Sequence, residues 1–376
     1  MQLKCERLLS SNVWLNKQTL TIEHDKIISI RPTIENDAHL PLYKGSFVPG
    51  FIDVQVNGGG GVLFNQQPSV AALTQMSQAH LRFGSTGLMP TLITDELPVM
   101  RQAAQAIADA VSQNTAGILG VHFEGPHLSK PKKGVHDASF IRPLSDDELA
   151  LYLRKDLGKV IVTVAPENVA PDIITLMSEN GIKVCLGHSN ADADTVLKAI
   201  EAGADGFTHL FNAMSAMQSR APGMVGVALN TPKTYAGLIL DHYHIDPICS
   251  EIAIKIKGID KIMLVTDAMG LIGTDDDSFM FGEQKITRIG NKLTTDNGTL
   301  AGSHLDMLSA VKHAVNDLKL PLEDAIAMAS TTPANYLGLR ASHGDIAVGQ
   351  QADLVLLDDD LNITALWQSG QSIIIT

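Results

Sequence analysis

Short apolar runs alternate with longer amphipathic segments through the middle of the chain. Turn residues bound eight of these runs, which predict buried strands at 51–56, 87–93, 117–123, 160–165, 182–187, 206–210, 235–240 and 262–266. Apolar residues recur every three to four positions between most of them, which predicts helices near 69–84, 97–113, 145–157, 192–203 and 247–258. This alternation, over roughly 280 residues, favours an α/β fold with a closed (β/α)8 TIM barrel over an open doubly wound sheet.

The two ends of the chain have a different pattern. Residues 1–48 contain strand-like runs without a convincing helix, and residues 336–376 have the same character. Because each end alone has too few strands to bury a face, we expect both ends to pair in one small β-sandwich domain. Residues 49–335 then form the barrel.

The first predicted strand lacks the fingerprint of a nucleotide-binding fold. No G-x-G-x-x-G sequence follows it, and the run Gly58–Gly61 is expected to be a flexible loop. A Rossmann fold is therefore not favoured.

Four polar residues follow predicted strands at the same phase of the repeat: Glu124, His188, His209 and Asp267. Each alone has an ordinary explanation, a satisfied polar group at a strand end or, for Asp267, a helix N-cap. Together they fall at the C-terminal ends of the predicted strands, the barrel face where TIM-barrel enzymes have their active sites. A carboxylate and two imidazoles can bind one divalent cation, and an aspartate beside a metal-bound water can carry its proton.

Composition narrows the function classes. The formal net charge of −13 argues against a nucleic-acid surface, and no run approaches a membrane span. The three cysteines are far apart and indicate neither a disulfide framework nor a thiolate zinc site. The N-terminus lacks the apolar core of a signal peptide, so we expect a cytoplasmic protein.

Several motifs together resemble the amidohydrolase superfamily and, within it, the N-acetylglucosamine-6-phosphate deacetylase family. The resemblance runs from about residue 45 to 360 and rests on PGFIDVQVNG, HFEGPHL, KKGVH, LGHSNA, THLFNAM, RAPG, VTDA, GTLAGS and TTPANYLGL, in that general arrangement. It implies removal of acetate from N-acetylglucosamine 6-phosphate in amino-sugar catabolism. Alternatives are the galactosamine epimer, a cyclic-amide or urea-type amidohydrolase, and a non-catalytic sugar-phosphate-binding protein.

Strand one departs from the wider superfamily pattern. Gln55 and Asn57 stand where many amidohydrolases have two histidines that help hold a second metal, and no lysine follows strand four to bridge two metals. We therefore expect one divalent cation, bound by Glu124, His188 and His209, with Gln55 near it through a water or only hydrogen-bonded at the strand end. Zinc is favoured; iron, manganese and cobalt suit the same ligands.

The resemblance also assigns the reaction steps. Asp267 accepts a proton from the attacking water and returns it to the departing amine, because an amine leaves poorly as an anion. His136, in KKGVH, faces the acetyl oxygen with the metal, where negative charge develops.

Substrate recognition is expected to use local donors, because the protein is acidic and the substrate carries a phosphate. Asn212 and Ala213 are expected at a helix start that cradles the phosphate, with His244 as a further partner. The resemblance implies that Arg220 comes from the partner subunit of a homodimer; by itself Arg220 reads as an exposed loop residue. The remaining expected sugar contacts are Val135, Leu300, Ala301 and Gly302. No role is assigned to His122, His127, His242 or His304.

Overall fold

The computed structural model describes residues 1–374. The chain begins with four strands: β1 (Gln2–Ser10), β2 (Val13–Glu23), β3 (Lys26–Pro32) and β4 (Leu42–Pro49). The alternating middle comprises β5 (Phe51–Val56), β6 (Gly58–Gly59), β7 (Val62–Leu63), α1 (Val70–Leu81), β8 (Ser85–Ile93), α2 (Leu97–Ser112), β9 (Gly120–Glu124), α3 (Asp146–Tyr152), β10 (Lys159–Val164), α4 (Pro171–Glu179), β11 (Lys183–Leu186), α5 (Ala193–Glu201), β12 (Gly206–Phe207), α6 (Gly223–Asn230), β13 (Tyr235–Leu238), α7 (Pro247–Lys257) and β14 (Ile262–Leu264). The rest comprises β15 (Ser278–Phe281), β16 (Gln284–Ile289), β17 (Lys292–Thr295), α8 (Met307–Asn316), α9 (Leu322–Ala329), α10 (Thr331–Tyr336), β18 (Leu354–Leu357), β19 (Ile363–Gln368) and β20 (Gln371–Ile373).

The predicted barrel is confirmed. Eight parallel strands are neighbours in the order β5, β8, β9, β10, β11, β12, β13 and β14. A parallel bridge between Val56 and Ala268 closes the ring, supported by the Asp267 N–H, which donates to the Gln55 carbonyl at 2.9 Å. This closure sets the end of strand one beside the loop that follows strand eight.

The barrel forms because its strands must bury both faces, whereas each of its helices has one apolar face that packs against the strands. Every residue of β5, β8 and β9 is buried, as expected for strands covered by helices outside and by side chains inside. Side-chain caps start several helices: Ser69 accepts from the Ala72 N–H before α1, and Ser145 forms a capping box with Glu148 before α3. Within residues 1–374, the helices are all too short or too polar to cross a membrane.

The two chain ends form one small β domain, as predicted. Its sheet has the order β20, β19, β18, β4, β1, β2, β3, so strands from both ends pair through β18 and β4. β3 is an edge strand of this sheet and contacts the segment before β18. The Ile27 N–H donates to the Gln350 carbonyl there at 2.9 Å. The sheet thereby encloses its own core, which includes Leu20, Phe47 and Trp367. The domain limits at residues 48 and 335 stay predictions.

The expectation of a flexible loop at Gly58–Gly61 is wrong. Gly58 and Gly59 form β6, which pairs with β7 in a small hairpin, and Gly60 and Gly61 make its turn at φ 65° and 90°. Close packing explains the glycines, since a Cβ on Gly59 would lie 2.9 Å from the His80 ring.

A three-stranded sheet, β15–β17, follows strand eight and was not predicted. Ile286 and Leu293 bury against Met269 and Ala301, so this sheet has a small core of its own. A bridge between Thr294 and Leu300 leads the chain from β17 into the barrel mouth. The inserted sheet therefore sets the position of the segment that contains Leu300.

Candidate active site

Three side chains converge at the mouth of the barrel. Glu124 ends β9, His188 follows β11, and His209 follows β12. Oε1 of Glu124 lies 3.1 Å from Nε2 of His188 and 3.0 Å from Nε2 of His209, and the two Nε2 atoms are 2.9 Å apart. All three residues are buried.

The donor set fits a divalent cation. Nδ1 of His188 donates to the Lys132 carbonyl at 2.8 Å, so Nε2, on the Glu124 side, is the ring nitrogen that can bind a cation. Ligands of one tetrahedral zinc ion lie about 3.4 Å from one another, close to the spacings observed. Burial alone would raise the pKa of Glu124, but hydrogen bonds from the two imidazoles hold it well below its usual range. An ionised carboxylate with two imidazoles is a ligand set that binds zinc and its neighbours in the transition series.

The backbone is strained where the strands deliver these groups. His188, His209 and Asp267 have φ of 47°, 30° and 52°, in the left-handed region that residues other than glycine seldom adopt. Each bend lies two or three residues past the end of its strand. β12 and β14 stop at Phe207 and Leu264, earlier than the apolar pattern predicts.

Asp267 is held by two amides from strand one. Asn57 Nδ2 donates to its Oδ1 at 2.7 Å, and Gln55 Nε2 donates to the same oxygen at 3.3 Å. Gln55 also donates to Oε2 of Glu124 at 3.2 Å, so one amide links both carboxylates. Burial and then the charge of Glu124 raise the pKa of Asp267. A contact of Gln55 with the cation through a water stays a prediction.

Thr94 determines which nitrogen of the His136 ring carries the hydrogen. Its backbone N–H donates to Nδ1 of His136 at 3.3 Å, and its hydroxyl lies 2.8 Å from the same atom. Burial, and next the neighbouring His188, hold the pKa of His136 well below its usual value, so the ring is neutral. Because Nδ1 accepts, the hydrogen lies on Nε2, and His136 can donate from that atom.

Asp241 orients His244. Its Oδ2 lies 2.6 Å from Nδ1 of His244, while Oδ1 accepts the backbone N–H groups of Tyr243 and His244. Burial acts to raise the pKa of Asp241, but the hydrogen bond with His244 and these donors lower it overall. The ionised carboxylate thus holds Nδ1–H and leaves Nε2 of His244 for a ligand.

These groups surround one cavity of about 240 Å³. Most of the residues predicted for the site line it: Glu124, Val135, His136, His188, His209, Asn212, Ala213, His244, Asp267, Leu300 and Gly302. Gln55 and Ala301 are buried beside it, outside the lining. Asn57, Ile93, Met269 and Thr299 also line it and were not predicted to.

One expected feature of the phosphate site differs in the structure. The helix start expected at Asn212 and Ala213 is wrong, because α6 begins at Gly223. The Asn212 N–H donates to the His209 carbonyl at 3.0 Å, so it is already engaged. Arg220 is exposed and, within residues 1–374, lines a surface cleft rather than this cavity.

The histidines without an assigned role serve mainly in hydrogen-bond networks. His122 lies 3.0 Å from the Val54 carbonyl and 2.7 Å from the Thr163 hydroxyl, and burial lowers its pKa to about 4. His127 contacts the Tyr152 hydroxyl at 3.1 Å, and Nε2 of His304 accepts from Arg288 at 2.8 Å.

Sequence reasoning missed the groups that orient the predicted ones. Asp241 precedes His244 by three residues, a spacing that could have suggested the pair. Thr94 and Asn57 offered no comparable signal, because their partners lie far away in the chain.

With this geometry established, the family is shown by comparison. The amidohydrolase family model matches residues 47–373, so the chain belongs to that family. An N-acetylgalactosamine-6-phosphate deacetylase of Shewanella sp. (strain ANA-3) is 50% identical over 333 residues, which cover 89% of this chain and 84% of the relative.

The chain is also similar to solved structures, and these indicate one family within the amidohydrolases. The crystal structure of N-acetylglucosamine-6-phosphate deacetylase from Pasteurella multocida is 35% identical, with a TM-score of 0.95 and coverage of 99% of this chain and 100% of that one. A mutant of the Mycobacterium smegmatis enzyme, in complex with N-acetyl-D-glucosamine 6-phosphate, is 29% identical, with a TM-score of 0.91 and coverage of 100% and 99%. Within the amidohydrolases, the chain is a member of the N-acetylglucosamine-6-phosphate deacetylase family.

Proposed function

We propose that this protein is a metal-dependent deacetylase that converts N-acetylglucosamine 6-phosphate to glucosamine 6-phosphate and acetate in amino-sugar catabolism. The observation that carries the proposal is the convergence of Glu124, His188 and His209 beside Asp267 in one cavity. A protein that only bound the sugar phosphate would have no need of a proton carrier beside a metal centre.

Glu124, His188 and His209 would hold one divalent cation, zinc being favoured, with iron, manganese and cobalt as alternatives. Bound there, the cation would lower the pKa of a water and polarise the acetyl carbonyl. Gln55 would hold Glu124 and Asp267 in place from the side of strand one, as its hydrogen bonds to both carboxylates indicate.

The protein's own groups carry the proton and stabilise the charge. Oδ1 of Asp267 is occupied by the two strand-one amides, so Oδ2 accepts the proton of the attacking water. His136 donates from Nε2 to the acetyl oxygen as negative charge develops there. Asp267 then returns the proton to the nitrogen while the C–N bond breaks, which releases acetate and a free amine.

Recognition of the phosphate would combine residues of two subunits. His244, oriented by Asp241, faces the cavity with Asn212 and Ala213. Arg220 of the partner subunit would complete the site in a homodimer, in keeping with its exposure and its position outside its own chain's cavity. Val135, Leu300 and Gly302 would contact the sugar, and Ala301 would support them from its buried position beside the cavity. We further propose that the enzyme acts in the cytoplasm.

A second candidate substrate is N-acetylgalactosamine 6-phosphate. The specific observation in its favour is the 50% identity to the Shewanella N-acetylgalactosamine-6-phosphate deacetylase. The epimers differ only at C4, so the reaction steps above apply to both.

The test measures acetate release by zinc-loaded protein from both 6-phosphates and from the two unphosphorylated sugars. Hydrolysis of a 6-phosphate, with a much lower kcat/KM for its unphosphorylated form, supports the proposal, and the ratio between epimers identifies the substrate. Asp267→Asn is the matched control for contaminating deacetylase. Binding of either 6-phosphate without acetate release would instead support a non-catalytic sugar-phosphate-binding protein.

A further inference from the structure

A second group of metal-ligating side chains lies on the surface beside the barrel mouth. It consists of His242, in the loop after β13, with His313 and Asp317 at the end of α8. Their ligand atoms lie within 4.8 Å of one another, and Nε2 of His242 is 2.9 Å from Oδ2 of Asp317. The active-site residues form a separate cluster in the cavity.

We propose that His242, His313 and Asp317 form a second divalent metal site, of the class that binds zinc, nickel or copper. Two of the ligands are fixed by helix geometry, because His313 and Asp317 are four residues apart and so lie on one face of α8. The same spacing lets two side chains of one helix bind a single ion in other metalloproteins. His242 supplies the third ligand from a different element.

The second nitrogen of His313 has the partner that a metal-binding imidazole usually has. Nδ1 of His313 donates to the Leu240 carbonyl at 2.6 Å, which fixes the ring and leaves the Nε2 lone pair free. His188 is held in the same way by the Lys132 carbonyl in the cavity. The imidazoles also have similar spacings: the ring centroids are 4.5 Å apart for His242 and His313, and 4.7 Å for His188 and His209.

The chemistry of the ligands selects the kind of cation. Two imidazoles and one carboxylate suit borderline transition metals, whereas magnesium and calcium prefer oxygen ligands. The side chains of His242 and Asp317 are 37% and 43% exposed to solvent, so a bound ion exchanges readily with solution. It therefore fills when zinc is present and empties on dialysis, unlike the buried cavity.

Occupancy of this site ties the loop that contains His244 to α8. The loop that contains His242 also contains Asp241 and His244, and Leu240 of the same loop already contacts His313. A metal bridge from His242 to α8 adds a second attachment on the same side. Bound metal thus restrains the loop that presents His244 to the cavity.

The test counts zinc on the intact protein by elemental analysis after equilibrium dialysis, first with micromolar free zinc and then with metal-free buffer. Wild-type protein should hold one more equivalent in the zinc buffer than in the metal-free buffer. His313→Ala and Asp317→Asn should lose this exchangeable equivalent and keep any zinc that resists dialysis. His24→Ala, which removes an exposed histidine elsewhere, is the matched control and should leave both values unchanged.

The location is tested by anomalous diffraction from crystals equilibrated with zinc. A peak in contact with His242 and His313, missing when magnesium replaces zinc, supports the proposal. Equal zinc uptake by wild type, His313→Ala and Asp317→Asn would overturn it, as would the lack of a peak at the cluster. Neither result depends on acetate release, so failure here leaves the proposed deacetylase activity standing.

Discussion

Asn57 donates its side-chain amide to Oδ1 of Asp267 at 2.7 Å, the shorter of the two amide contacts that this oxygen receives. Strand one and strand eight are adjacent because the barrel closes there, so a residue at the end of strand one positions the proposed proton carrier, which lies 210 residues further along the chain. Oδ2 is left as the oxygen that exchanges a proton.

Asp267→Asn should preserve fold and metal content but lower kcat by about 10²–10⁴-fold or more, because one group serves as base and then as acid. KM should change little, since the substitution keeps the side chain's shape. Steady-state kinetics with metal analysis check this. A variant that retained half the wild-type rate would mean that another group moves the proton.

Asn57→Ala should lower kcat about tenfold, less than Asp267→Asn does, because the carboxylate is still present but loses its strongest orienting bond. A residue with a positioning role should also change the pH profile of kcat, since Asn57 lowers the pKa of Asp267 through its hydrogen bond. Loss of this hydrogen bond should raise the pKa of Asp267, so the part of the kcat profile that depends on Asp267 ionisation should move to higher pH. Asn190→Ala, at an exposed position near the mouth, should leave the profile unchanged.

Much of this site could be predicted because Glu124, His188 and His209 each follow an apolar run, and parallel strands in a barrel end on one face. The eight strands could be predicted because each is a short apolar run bounded by turn residues. Thr94 could not be assigned, because its hydrogen-bond partner His136 lies 42 residues away in the chain and leaves no periodic signal. The inserted strands β15–β17 were missed since they are short and only partly buried, and the left-handed bends at His188 and His209 depend on tertiary contacts.

Protein purified without added metal should retain about one equivalent after dialysis, because Gln55 and Asn57 replace the ligands that a second buried ion would need. Glu124→Gln and His188→Ala should each lose most of it. Elemental analysis of all three proteins checks the prediction. Two equivalents retained by both wild type and His313→Ala would place a second ion in the cavity and contradict the single-metal site.

Lys257 should make folding stability depend on pH above neutrality. The side chain is 5% exposed and donates to the Ala228 carbonyl at 2.8 Å, and burial, followed by the charge of Lys261, lowers its pKa to about 8. Between pH 8 and the unfolded-state pKa of about 10.4, the unfolded chain binds more protons than the folded one, so this group's contribution to stability rises with pH.

Urea unfolding of wild type and Lys257→Met at several pH values isolates this contribution. The free energy of unfolding of wild type should increase relative to the variant by about 1–3 kcal/mol between pH 8 and pH 10. Lys255→Met, an exposed position on the same helix, is the control and should follow wild type. A difference between wild type and Lys257→Met that is constant with pH would show that Lys257 does not titrate in this range.

Mixed dimers test whether Arg220 acts in the site of the partner subunit. Arg220→Ala and Asp267→Asn homodimers should each have low activity toward the phosphorylated sugar. In a heterodimer, the site with intact Asp267 lies in the Arg220→Ala subunit and receives Arg220 of the partner subunit, so it regains every required group. The other site lacks both. Random pairing of equal amounts makes half the dimers mixed, so roughly a quarter of wild-type activity should return. Co-expression with two different affinity tags verifies that heterodimers form in this mixture, and heterodimers purified through both tags should have about half the wild-type activity. Activity no higher than the average of the two single mutants would place Arg220 in its own subunit's site or outside the reaction.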